Sequence, residues 1–147
     1  MPIEFRDSHS TDDFVNEARE WLGTPFHHQA SVKKIGCDCA GLVKGVAKNL
    51  SYEVSKVYTD YGVEPANGEL ERVLASLLVK KSDNSLSKGD IILFRFLQEP
   101  QHLGIYCGDG ILVHSYSTEG GVVEHCIDEK WKKRIVSVYE LPGLTNG

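Results

Sequence analysis

Along the chain the apolar residues change their spacing once, near Ser87, from three- and four-residue intervals to short continuous runs. The first spacing is that of one buried helix face. Phe14, Ala18, Trp21 and Leu22 form one such stripe, with Ser10 and Thr11 as N-caps, Asp12 and Asp13 in the first turn, and Gly23 as its stop. Leu42, Val43, Val46, Ala47 and Leu50 form a second, beginning at Cys39 behind Asp38, whose carboxylate can accept from N–H groups one turn on. Leu70, Val73, Leu74, Leu77 and Leu78 form a third from Glu69, with Asn67 as its cap. Residues 24–30 read as irregular because Pro25 cannot continue a helix, and residues 51–68 read as an ordered excursion carrying three tyrosines.

Beyond Ser87 the runs 91–96, 101–107, 111–115, 122–126 and 135–141 are short and rich in β-formers, and Gly108-Asp109-Gly110 and Gly120-Gly121 turn the chain between them. Helices first and an antiparallel meander second predict an α+β fold, N-terminal helices packed on a mostly antiparallel sheet. With 147 residues, 41% of them hydrophobic, and no repeat or boundary, the chain should form a single domain over 1–147.

A formal charge of −5 argues against nucleic acid as a partner, because phosphate binding needs a basic patch. The one basic run, Lys130-Trp131-Lys132-Lys133-Arg134, reads as a solvated surface turn. No apolar run approaches the ~18 residues of a membrane helix, and the first residues lack the order of a signal peptide, so synthesis in the cytoplasm is expected. Four cysteines are too few for a disulfide scaffold at this length.

The cysteines therefore matter as chemistry. A thiol at the first residue of a helix faces the unpaired N–H groups and the positive dipole end, so Cys39 is expected to have a lowered pKa and to act as a nucleophile. His102 and His114 lie on strands joined by a tight turn, where antiparallel pairing sets them side by side as base and orienting group for such a thiol. The competing reading of Cys39, His102 and His114 is packing alone. Cys37 with Cys39, His27 and His28 has tighter spacing than zinc sites use, so no metal is expected there and Cys37 is taken as structural. Cys107 and Cys126 are taken as packing residues, and His9 and His125 as incidental.

In order, Gly-Thr-Pro-Phe (23–26), Asp-Cys-Ala-Gly-Leu-Val (38–43), Gly-Asp-Ile-Ile-Leu-Phe (89–94), His-Leu-Gly-Ile-Tyr (102–106) and Gly-Asp-Gly-Ile-Leu-Val-His (108–114) resemble the NlpC-type cell-wall cysteine peptidases over residues 14–141. Residues 29–39 look most like the branch carried by phages and gene-transfer particles, which implies tail proteins as partners and delivery to the cell wall with a particle. The resemblance implies a papain-like α+β fold and cleavage of peptidoglycan stem peptides, commonly between D-glutamate and a diamino acid, without a cofactor. It implies Cys39 as nucleophile, His102 as general base, His114 as its orienting group, and the Cys39 N–H as oxyanion donor. The family usually has tyrosine at Phe26 and serine at Ala40, where Ala40 would contribute to substrate binding beside Asp38. Gln29 or His28 is expected to supply the missing hydroxyl's hydrogen bond. Two rival expectations are an amidase or acyltransferase on another substrate, and a structural module of a tail that has given up turnover.

Overall fold

The computed structural model describes residues 9–146. Helix α1 (Thr11–Arg19) begins in a capping box: the Ser10 hydroxyl accepts from Asp13 N–H, and the Asp13 carboxylate accepts from Ser10 N–H at 2.9 Å. A two-residue hairpin, β1 (Ser31–Val32) and β2 (Gly36–Cys37), follows and leads into α2 (Cys39–Asn49). Next come α3 (Glu69–Ala75), β3 (Val79–Lys80), β4 (Ile91–Phe96), β5 (Glu99–Tyr106), β6 (Ile111–Tyr116), β7 (Gly121–Cys126), the short α4 (Glu129–Lys132) and β8 (Ile135–Glu140).

The main sheet has the order β3-β8-β4-β5-β6-β7, antiparallel throughout. Alternation along the strands divides its side chains between two cores. Leu103, Ile105 and Val113 join Phe14, Trp21, Leu42, Val46 and Leu70 under the helices. Ile92, Phe94 and Leu112 point to the opposite face and pack on Trp131 of α4.

The helices, the meander and the α+β class are as the hydrophobic spacing predicts. Several expectations are corrected. The third helix stops at Ala75, and its N-cap is Gly68 at φ 77° with no side-chain cap bond, because Asn67 itself turns left-handed at φ 55°. The hairpin of β1 and β2 and the edge strand β3 are too short to leave a periodic signal. The basic run at 130–134 is solvated at its three lysines but not throughout: Trp131 is buried, and the Arg134 guanidinium lies over the Phe96 and Trp131 rings at 5.2 and 5.0 Å. Cys126 is exposed rather than packed. The residues before His9, read for a leader signal, lie outside the described residues. Among the described residues, no helix is long and apolar enough to cross a membrane.

The start of α2 is pressed against residues 26–30. A Cβ on Gly41 would lie 1.9 Å from the Ala30 carbonyl oxygen, a backbone atom that cannot swing aside. Gly41→Ala should therefore destabilise the fold by about 1–3 kcal/mol in urea unfolding, although alanine is the better helix former by about 1 kcal/mol. A variant as stable as the wild type would contradict this close approach.

Candidate active site

The β5–β6 ladder is registered at Ile105↔Val113 and Tyr106↔Leu112, and toward the His102 end the two strands part. An open cleft of about 410 Å³ lies there, lined by Cys39 from the start of α2, by His102 from β5, and by Phe26, His28, Asp38 and Tyr61. In place of ladder bonds, imidazoles bridge the gap: His102 Nε2 and His114 Nδ1 are 2.6 Å apart. The antiparallel strands thus bring the two predicted histidines together, with His102 Nδ1 as the ring's remaining nitrogen. Cys39 opens the cleft's helix side, 9% exposed.

The rings stand in an aromatic enclosure. Phe96 stacks on His102 at 5.4 Å, Tyr116 stacks on His114 at 5.3 Å, and Trp131 stands edge-on to His114 at 5.1 Å. Burial favours neutral rings, so His102 titrates well below its usual 6.5 and His114 is pushed down to about 3. The cations that His114, Arg134 and His125 can carry act on His102 in the same direction.

Cys39 departs from expectation. Burial, then the Asp38 charge beside it, push its thiol from 9.0 up to about 12, against the backbone N–H groups of Leu103, Ala40 and Cys39 that draw it down. Burial thus favours a neutral thiol and a neutral imidazole at the two residues that line the cleft from α2 and β5.

Asp38 is the N-cap of α2, accepting from Gly41 N–H at 2.7 Å and from Gln29 N–H at 2.6 Å. The Tyr61 hydroxyl donates to both its oxygens, at 2.9 and 2.8 Å. His28 lines the cleft with Nδ1 3.8 Å from Asp38 and its ring edge-on to Tyr61 at 5.7 Å. Gln29 is not brought to the cleft: at φ 60° its side chain turns away and its amide donates to the Tyr61 carbonyl at 2.8 Å. Ala40 faces the helical core, 3% exposed, and takes no place in the cleft. Cys37 is fully buried, with burial raising its thiol to about 11, and its carbonyl accepts from the Ser115 hydroxyl at 2.8 Å.

Two residues at the site escaped the reading of the sequence. Tyr61 places a hydroxyl in the cleft where Phe26 has none; its only signal was a tyrosine in an excursion that buries apolar residues. His125, taken as incidental, has Nε2 2.8 Å from His114 Nε2. Among the described residues, no group of three or more His, Cys, Asp or Glu side chains is placed to hold a metal ion.

The profile of the NlpC/P60 family matches residues 23–140, which span every cleft residue named above. The chain belongs to the NlpC/P60 family. It is 28% identical over 120 residues to the murein DD-endopeptidase MepS/murein LD-carboxypeptidase of Escherichia coli K12, covering 82% of this chain and 57% of that protein. It is also 28% identical over 116 residues to a γ-D-glutamyl-L-lysine dipeptidyl-peptidase of Bacillus cereus, covering 77% of this chain and 31% of that protein. The chain therefore spans between about a third and somewhat over half of these relatives' lengths. The solved NlpC/P60 family protein from Bacillus cereus superposes with a TM-score of 0.64 at 22% identity, covering 89% of this chain and 40% of that one, which establishes the shared papain-like fold.

Buried neutral histidines tie stability to pH. Unfolded, both titrate near 6.5; folded, His114 stays neutral to about 3 and His102 to well below 6.5. The unfolded chain binds the extra protons, so stability is unaffected by them above pH 7 and falls as pH drops from 6.5 toward 3. Unfolding should take up more protons at pH 5 than at pH 8, about one of them from His114 and a further part from His102, read by calorimetry in buffers of different ionisation enthalpy. Equal uptake at both pH values would show the rings are charged in the fold. Separately, Tyr61→Phe should cost about 1.5–3 kcal/mol in urea unfolding, as a bond to a carboxylate does, and an unchanged midpoint would contradict the Tyr61 to Asp38 contact.

Proposed function

We propose that this NlpC/P60 domain is a cysteine peptidase that cuts peptidoglycan stem peptides at the bond between D-glutamate and the diamino acid. The observation that carries the reading is the 2.6 Å His102 to His114 bond in a cleft shared with Cys39 at a helix start. The names of the relatives, an endopeptidase of murein and a γ-D-glutamyl-L-lysine peptidase, support the substrate class.

Because the thiol rests protonated, attack and proton transfer proceed together: as sulfur closes on the carbonyl carbon, its proton passes to His102. The oxyanion accepts from the Cys39 N–H at the start of α2. His102 then gives the proton to the departing amine, leaving a thioester. Water attacks the thioester while His102 takes a proton from it, the acid product leaves, and the proton returns to sulfur. His114 holds the imidazole through both halves. Tyr61 and His28 support the reading in which hydroxyl and imidazole at Asp38 stand in for the hydroxyl missing at Phe26.

The likeness of residues 29–39 to the branch in phages and gene-transfer particles supports a finer reading, that the domain travels with a tail and reaches the wall on it, so its partners would be tail proteins. Its presence in purified particles is the test of that part, and its absence from them would dispose of it.

The chain should release the diamino acid's amine from γ-D-glutamyl-diamino acid peptides, followed by amine labelling and mass spectrometry. Cys39→Ala and His102→Ala should each lower kcat by on the order of 10³-fold or more while remaining folded. A folded wild type that cuts none of these peptides would sink the peptidase reading. Turnover of acyl-lipid or other amides would then favour an acyltransferase or amidase, and none at all a structural module.

A further inference from the structure

The hydrogen-bonded line that begins at His102 does not end at His114. His114 Nε2 lies 2.8 Å from Nε2 of His125 on β7, and Nδ1 of His125 lies 2.8 Å from the Cys126 carbonyl oxygen. A carbonyl only accepts, so Nδ1 of His125 carries hydrogen, and in the neutral ring Nε2 is then bare. A bare nitrogen only accepts, so His114 carries its hydrogen on Nε2 and has a bare Nδ1. Across the 2.6 Å contact His102 must in turn donate from Nε2. His102 is left with Nδ1 bare, the state in which a ring can take a proton from a thiol.

Two imidazoles in contact can pass a hydrogen bond in either sense. The reverse sense puts hydrogen on Nδ1 of His102 and leaves it nothing to accept a proton with. His114 is fully buried, so without His125 its Nε2–H would have no partner from water, and the preferred sense would be lost. Register makes the contact possible: Leu112↔His125 and His114↔Val123 place His125 on the same face of the sheet as His114, one diagonal step away.

We propose that His125 is a positioning residue which, anchored on the Cys126 carbonyl and acting through His114, fixes His102 as the Nε2–H tautomer and so keeps Nδ1 free as the base. The catalytic consequence rests on the peptidase reading above; the tautomer itself does not.

Long-range ¹H–¹⁵N NMR of the full chain at pH 8 reads the tautomers directly. In the wild type, His102 and His114 should both show protonated Nε2 and bare Nδ1. His125→Phe keeps a ring against Trp131 and removes both nitrogens; it should transfer much of the His102 population to the Nδ1–H form. His125→Gln, which restores an acceptor, should bring the wild-type pattern back. On a γ-D-glutamyl-diamino acid peptide, kcat should fall on the order of tenfold in His125→Phe with KM unchanged, and recover in His125→Gln. A wild-type His102 carrying its hydrogen on Nδ1 would overturn the proposal with no variant needed. So would a folded His125→Phe whose His102 tautomer is unmoved. Tautomers that follow His125 in a chain that cuts no stem peptide would support the positioning role and overturn the peptidase reading alone.

Discussion

A single carboxylate ties together three of the stretches of chain that line the cleft. Asp38 caps α2 through Gly41, holds residues 26–30 through the Gln29 N–H, and holds residues 51–68 through the Tyr61 hydroxyl, with contacts between 2.6 and 2.9 Å. Each is a hydrogen bond to an ionised acceptor, of the stronger kind. The buried charge would be costly alone; donors from three segments make it tolerable, and in return those segments share one anchor. Cys39 is the next residue, so its position in the cleft follows from the same contacts.

That anchor also shapes the electrostatics of the thiol, in the direction opposite to the helix end. A helix N-terminus stabilises an anion by roughly 0.3–1 kcal/mol, less than one pKa unit, whereas burial can move a group by 3–5 units. At Cys39 burial leads, the Asp38 charge adds to it, and three N–H groups do not offset them, so the thiol reaches about 12. The same competition acts on His102 and His114, where an aromatic enclosure disfavours the cation. Burial thus favours the neutral form of both the thiol and the imidazoles.

What was legible in the sequence is what local chemistry decides. Caps at Ser10 and Asp38, the helix stripes, the turns between strands, and the facing of His102 and His114 across a short hairpin all depend on residues close in the chain. The remainder depends on distant pairings. His125 matters because of the β6–β7 register, and a slip of one residue there would put it on the other face. Trp131 is hidden in a basic run because its burial is decided by the far face of the sheet, and Tyr61 because its hydroxyl meets a carboxylate 23 positions earlier. The lowered thiol pKa expected at the helix start failed for a related reason: the dipole is a local property, and burial is a property of the whole fold.

A thiol held protonated and nearly enclosed has a chemical durability that an exposed thiolate lacks. Oxidation to sulfenic acid and beyond proceeds through the thiolate and needs access, and Cys39 offers little of either. The exposed Cys126 meets an oxidant first, while the sulfur in the cleft, enclosed and protonated, keeps its reduced state.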